Sequence, residues 1–293
     1  MNAAPVLVGY AATVGLVAPY VIARASWPYR SPAVAAAVWS ALAVSFSLCV
    51  ALLAVHVVTP AAHVGVLYSC QVALGMTPGV GSVGRWGLTA LATVAGVHVG
   101  VFAFHTLRAG AARSRHRKIL DMVGHRAPEL QAVVLDHGAT AAYCLPGRSP
   151  RIVVSRGAVE RLSSAELGAV VEHERAHVAG RHHLVLAATQ CFATVFRGLP
   201  LARHLREQMP LLLEMTADDR ALRRYSPGVL AAALLEMATG QPAPRGAMSA
   251  TGATAVVRLK RIVGPEPQPR PVLWGAAGAA IVLLLALPVL FAC

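Results

Sequence analysis

Two histidines and the glutamate between them set the chemistry open to this chain. His173-Glu-Arg-Ala-His177 spaces two imidazoles four residues apart. On a helix, residues at that spacing share a face, so both rings can converge on one metal ion. Glu174 stands one residue past the first ligand, where its carboxylate reaches a metal-bound water without displacing it. Zinc lowers the pKa of such a water toward about 7. Glu174 is then placed to take the proton during attack on a carbonyl and to hand it to the leaving amine. The motif alone also fits a helix with two surface histidines, so a third ligand decides between the two. Downstream, Leu211-Leu-Leu-Glu214-Met-Thr-Ala-Asp218-Asp219 reads as a second helix with Glu214 and Asp218 on one face. Glu214 completes a His₂Glu set with a fourth position open to water. Asp218, one turn on, accepts the free N–H of a ligand histidine. The chain has only 13 acidic residues, which weighs against coincidence.

These side chains need a scaffold. Ser163-Ser164-Ala165-Glu166 is a capping box, and it opens a helix that is expected to run through His183. Ahead of it, Ala132-Val-Val-Leu, Ala141-Ala-Tyr-Cys-Leu and Arg151-Ile-Val-Val-Ser read as short strands, with a turn at Pro146-Gly147. Together they predict a strand-rich piece of about 35 residues. His182 and His183 are expected to be cations favoured by the helix C-terminus, with His182 pointing away from the metal. His204 is expected to be solvated in a basic turn. Arg220 and Tyr225 are the candidates for an oxyanion donor. Leu184 to Leu199 is short for a membrane span and reads as a buried helix linking the two ligand helices. Gly240 to Thr254 reads as a mobile loop and Pro265 to Pro271 as a stiff lead into the last apolar segment.

The rest of the composition is that of a membrane protein. Hydrophobic residues make up 56% of the 293 and charged residues 13%, about half the usual charged share. That excludes disorder, an ordinary soluble enzyme and a disulfide scaffold. The net charge is +13, yet no aspartate or glutamate precedes Asp121. The first half is therefore apolar rather than nucleic-acid binding. Spans are expected at about 3–23, 33–58 and 88–107, with a fourth from Val272 to Phe291. A Gly-rich connection runs from Pro60 to Trp86. Arg24 and Arg30 follow the first span, and Arg108, Arg113, Arg115, Arg117 and Lys118 the third. The positive-inside rule puts both clusters in the cytoplasm. His56, His63, His98 and His105 lie in or near spans without a carboxylate to partner them and are read as neutral. The five cysteines form no Cys-x-x-Cys pair and read as small buried apolar residues.

With both helices and the spans in view, the sequence resembles the membrane zinc peptidases of the BlaR/MecR antirepressor type. It is more remotely similar to HtpX and the CAAX prenyl proteases. Ala142-Tyr-Cys-Leu-Pro-Gly147, Arg151-Ile-Val-Val-Ser155, Leu162-Ser-Ser-Ala-Glu-Leu167 and Arg258-Leu-Lys-Arg261-Ile carry the likeness beyond the two helices. It covers about residues 88–292. The resemblance implies that His173, His177 and Glu214 bind Zn²⁺ and that Glu174 is the catalytic base. It also implies that the strand of Ala142 and Tyr143 receives an extended peptide by β-addition. The beta-lactam sensors of that type carry an extracellular penicillin-binding domain after the last span. None is present here, so direct antibiotic sensing is not expected.

The expectation is a mainly α, multi-pass membrane protein of about four transmembrane helices with a cytoplasmic α+β zincin-like metalloprotease domain. Residues 1–107 form three spans, 108–270 the peptidase domain and 271–293 a C-terminal span. The partners expected are the lipid bilayer and a protein or peptide substrate, with a transcriptional repressor as the leading substrate and no direct nucleic acid binding. Two other functions compete with repressor cleavage. One is housekeeping proteolysis of membrane proteins, and the other is non-catalytic signalling around a structural metal site. A structural zinc site normally closes four positions with protein ligands, whereas three are visible here, which favours catalysis.

Overall fold

The computed structural model describes residues 4–58, 82–239, 248–264 and 271–292. In chain order its elements are α1 (Ala4–Arg24), α2 (Trp27–Arg30), α3 (Pro32–Val58) and α4 (Ser82–Val123), then the strands β1 (Gly124–Ala127), β2 (Ala132–Leu135), β3 (Ala142–Leu145) and β4 (Arg151–Ser155). Helices α5 (Arg156–Arg161), α6 (Ser164–Ala179), α7 (His182–Val195), α8 (Pro200–Ala221), α9 (Pro227–Thr239), α10 (Met248–Val263) and α11 (Pro271–Ala292) follow. The chain divides into two compact units.

The first unit gathers α1, α2, α3, α4 as far as His105, the segment Ala188–Met209 and α11. Within the described residues, four helices are long and apolar enough to cross a membrane: Ala4–Arg24, Pro32–Val58, a stretch of α4 and Trp274–Phe291. They pack through small residues and shared backbone acceptors, the devices open to helices that lack a hydrophobic drive between them. Ser45 is fully buried; its hydroxyl donates to the Leu284 carbonyl at 2.6 Å and lies 3.0 Å from the Tyr10 hydroxyl, tying α3 to α11 and α1. Gly15 sits in a π-helical turn of α1, where a Cβ would fall 2.7 Å from the Phe46 ring. His98 and His105, read as neutral, meet the Val94 carbonyl at 2.8 Å and the Thr194 hydroxyl at 3.2 Å, with no carboxylate against them among the described residues. In α4 and α11, Val99, Phe104, Trp274, Val282 and Leu290 stand exposed, apolar surface of the kind a bilayer covers.

The second unit holds α4 from Thr106, the sheet, α5, α6, α7 as far as Ala187, α8 from Pro210, α9 and α10. The sheet order is β1-β2-β4-β3. β1 pairs antiparallel with β2, β2 parallel with β4, and β3 antiparallel with β4, with Tyr143 opposite Val153. Val154, Ile152 and Ala132 bury one face of the sheet against Leu167, Val170 and Val171 of α6. Leu120, Leu145 and Val153 close the other face. This core fixes the helix that carries His173 and His177.

Several boundaries differ from the sequence reading, each for a local reason. α4 runs without a break to Val123, past the expected end of the third span at 107, and the basic cluster of 108–118 is helical: arginine, lysine and alanine all favour helix. β1 is a strand that His125 and Arg126 concealed. α6 ends at Ala179 and does not reach His183, because Arg181 adopts a left-handed φ of 49° and restarts the chain as α7. The second ligand helix is far longer than Leu211–Asp219, beginning at Pro200 and carrying Pro210 inside it. Residues 188–209, assigned from sequence to the segment 108–270, group with the apolar helices. The expected loop from Gly240 to Thr254 is helical from Met248 on; 240–247, most of Pro60 to Trp86 and 265–270 lie outside the described residues.

Candidate metal centre

The site is built from three helices, each fixed by its own local rule. The capping box starts α6 as read: the Ser163 hydroxyl accepts from the Glu166 N–H, and the Glu166 carboxylate accepts from the Ser163 N–H at 2.8 Å. Gly168 in the next turn lets the Tyr225 hydroxyl approach, where a Cβ would lie 2.4 Å away. Two turns further, His173 is buried and His177 half-buried on one face. Facing them, α8 presents Glu214 and Asp218 one turn apart, and α10 presents Arg258.

The ligand atoms converge. His173 Nε2 and His177 Nε2 are 3.1 Å apart, and Glu214 lies 3.4 Å from the first through Oε2 and 3.3 Å from the second through Oε1. Two donors each about 2.0–2.1 Å from a shared tetrahedral ion stand about 3.3 Å apart. The three separations therefore fit one small cation, and the donor set, two imidazoles and a carboxylate, suits it chemically. His173 is the closed side of the cluster, 9% exposed, and Glu214 the open side at 37%.

Charge around the cluster favours a cation. Burial opposes ionisation of Glu214, but the two imidazoles and then Arg258 override it and hold the carboxyl well below the usual carboxylate range. Asp218, fully buried, is held low in the same way by Arg258 and His173. Burial pushes His173 down, yet the Asp218 and Glu214 carboxylates beside it win and raise it to about 9. The cluster thus takes up positive charge readily, as a proton or as a metal ion.

The supports of the two imidazoles differ. His173 Nδ1 lies 3.0 Å from Asp218 Oδ1. His177 Nδ1 instead meets His182 Nδ1 at 2.8 Å. His182 is therefore not a cation at a helix C-terminus. It is buried in the first turn of α7, and burial, followed by the charge of His177, pushes it down to about 4. The reversal depends on Gly180, where a Cβ would stand 2.5 Å from the His182 ring. The sequence separation of nine from His173 hid this, since it assumed one unbroken helix.

Arg258 is the residue that sequence reasoning left without a role. Its Nε and Nη2 donate to Asp218 at 2.8 and 2.7 Å, and its Nη1 donates to Glu214 Oε2 at 2.8 Å. One guanidinium thus fixes both carboxylates, and burial, which disfavours its charge, is outweighed by Asp218. Glu174, half-buried, faces β3: burial and then the Glu174 carboxylate push the Cys144 thiol up to about 12. Cys144 was read as a bland buried residue, but it flanks the glutamate of the motif. β3, with Ala142 and Tyr143, is an edge strand, and the Tyr143 hydroxyl meets His116 Nε2 at 2.7 Å. The two candidate oxyanion donors are elsewhere: Arg220 pairs with Glu172 on the far side of α6, and Tyr225 packs on Gly168. His204 is not solvated; its ring stacks on Trp39 and meets Tyr20 edge-on, because α8 begins early enough to carry it into the apolar unit.

A mixed helix-and-strand unit thus brings His173, His177 and Glu214 together at facing helices in a cluster that could hold a metal ion. Residues 107–226, from the end of α4 through the sheet, α6 and α8, match the model of Peptidase family M48. The members of that family are metal-dependent peptidases. No curated protein and no solved structure matches the chain.

Proposed function

We propose that this chain is a membrane-bound zinc endopeptidase of the BlaR/MecR antirepressor type, cutting a protein substrate at the cytoplasmic membrane face in regulatory proteolysis. The observation that carries the reading is the convergence of His173 Nε2, His177 Nε2 and the Glu214 carboxylate within 3.1–3.4 Å, with Glu174 one residue past the first of them. The match to Peptidase family M48 over 107–226 and the four apolar helices support it.

In this reading His173, His177 and Glu214 hold the zinc ion, which supplies Lewis acidity for the scissile carbonyl and acidifies a water. Glu174 takes the proton from the attacking water and delivers it to the leaving nitrogen. Its neighbour Cys144 stays a neutral thiol at physiological pH, so Glu174 faces no second anion there. Arg258 keeps Glu214 ionised, Asp218 orients His173, and His182 orients His177. The substrate lies extended along β3, its backbone pairing with the open edge at Ala142 and Tyr143, which holds the scissile bond in register.

The test compares wild type with Glu174→Gln, measuring bound zinc and proteolysis together. Both should bind about one zinc, and the variant should cleave about 10²–10⁴-fold more slowly. Equal zinc with equal cleavage removes Glu174 from the chemistry. Zinc in both with cleavage in neither, even with candidate repressors supplied, makes the metal structural.

A further inference from the structure

The apolar unit carries a cavity of about 830 Å³ that the peptidase reading does not use. It lies at the hairpin between α7 and α8, where Gly198 takes a left-handed φ of 82° and lets the chain reverse. Its lining divides by chemistry. Ala193, Leu199, Pro200 and Ala202 give it an apolar wall, while Arg197, Arg203 and Arg206 bring three guanidiniums against one carboxylate, Glu207. That carboxylate lies 3.6 Å from the His204 ring. Among the described residues, Arg197 and Arg206 have no ion-pair partner.

The third arginine fixes the cavity's level along the first span. Arg203 donates to the Tyr20 hydroxyl at 3.3 Å, and its guanidinium stands 5.9 Å from the Tyr20 ring centroid. Tyr20 belongs to the last turn of α1, which ends at Arg24 and is followed by Trp27, Tyr29 and Arg30. Aromatic and basic residues at the end of an apolar helix mark the headgroup layer of a bilayer. The cavity is thus tied to the end of α1 where phosphates would lie. Guanidinium is the cation that grips phosphate through paired N–H donors, and basic pockets beside apolar helices suit anionic headgroups. A freely diffusing anion would need the arginines but not the apolar wall; an anionic phospholipid uses both.

We infer that this cavity binds the phosphodiester headgroup of an anionic phospholipid, with Arg197 and Arg206 on the phosphate and the apolar wall against the start of the acyl chains.

The experiment uses the full chain in nanodiscs of phosphatidylcholine with or without phosphatidylglycerol. Lipid retained by the protein is counted by native mass spectrometry, and Tm is measured on the same discs. Wild type should retain phosphatidylglycerol selectively and melt higher in its presence. Arg197→Gln with Arg206→Gln should weaken retention about 30-fold and lose the Tm increment. Arg126→Gln with Arg148→Gln, exposed arginines of the other unit, should lose neither. Arg197→Lys with Arg206→Lys, which keeps the charge and a full side chain, should fall between and guards against misfolding of the glutamine pair. Equal retention by wild type and both cavity variants overturns the inference. So does a Tm increment that inorganic phosphate alone reproduces, since that would mark a free-anion site.

Discussion

Two carboxylates near α6 lie beside arginine, yet they are bound in opposite ways. Glu172, on the helix face away from the histidines, is covered: Arg224 lies at 3.0 Å, and Arg175 and Arg220 each at 3.6 Å. Glu214, across from the other face, has one arginine on Oε2 and gives its remaining lone pairs to His173 and His177. A carboxylate ringed by three guanidiniums is neutralised by them, and their positive charge repels a metal ion. One that is anchored on a single side and aimed at two imidazoles keeps its place while coordinating. The arrangement of partners, together with the exposure of Glu214 (37% against 5% for Glu172), separates a structural carboxylate from a candidate ligand.

The sharpest way to break this contrast is to delete each carboxylate in turn. Glu214→Ala removes one of three donors and should abolish stoichiometric zinc binding at micromolar metal, together with cleavage, while the far face of α6 is untouched. Equilibrium dialysis with metal analysis reads the loss. Zinc bound by Glu214→Ala as tightly as by wild type would remove Glu214 from the ligand set.

His182 comes next. Partners of ligand imidazoles typically contribute 10–100-fold in metal affinity. His182→Ala should therefore weaken zinc by about that factor without unfolding the chain, as chelator competition would show. Gly180→Ala should act in the same direction, because its methyl would claim the space of the His182 ring. If chelator competition finds both variants indistinguishable from wild type, the 2.8 Å contact does not position His177.

Glu172→Ala is the counter-experiment. It leaves three guanidiniums without their shared acceptor, but Arg220 and Arg224 are 50% and 65% exposed and regain water. The cost should stay near 1–2 kcal/mol, below the 3–5 kcal/mol of a fully enclosed pair. Denaturant unfolding should register it while zinc content stays at the wild-type level. Lost zinc in this variant would mean that the two faces of α6 are not independent.

The site was legible where chemistry repeats at helical spacing. His173 with His177, and Glu214 with Asp218, are i,i+4 pairs, and a reader needs only the helix period to place each on one face. The capping box fixed where α6 begins for the same local reason. What escaped depends on the path of the chain between elements. Arg258 is 40 residues beyond Asp218, and nothing in its own neighbourhood marks it as the clamp of two carboxylates. His182 was misread because the break after Gly180 turns on the left-handed φ of Arg181, which arginine does not advertise. β1 escaped because His125 and Arg126 point their strand faces outward. Likewise, Cys144 acquires meaning only once β3 is laid along α6.

Glu166 supplies the smallest and most local test of how partners define a carboxylate. It shares α6 with Glu172 but, among the described residues, has no arginine partner; the backbone N–H of Ser163, then the Ser163 hydroxyl, hold its carboxyl below its ordinary value of 4.5. A carboxyl lowered by folding stabilises the fold above its unfolded value and loses that contribution as pH falls through the folded one. Glu166→Gln should therefore cost a few tenths to about 1 kcal/mol at neutral pH. The deficit should shrink as wild type is taken below about pH 4.5, where its own cap becomes protonated. Thermal melts of the pair across that range give the sign directly. A deficit that stays constant into acid would mean that the cap acts through the shape of the side chain and not through its charge. Zinc content should be the same in both proteins, since this carboxylate faces neither imidazole.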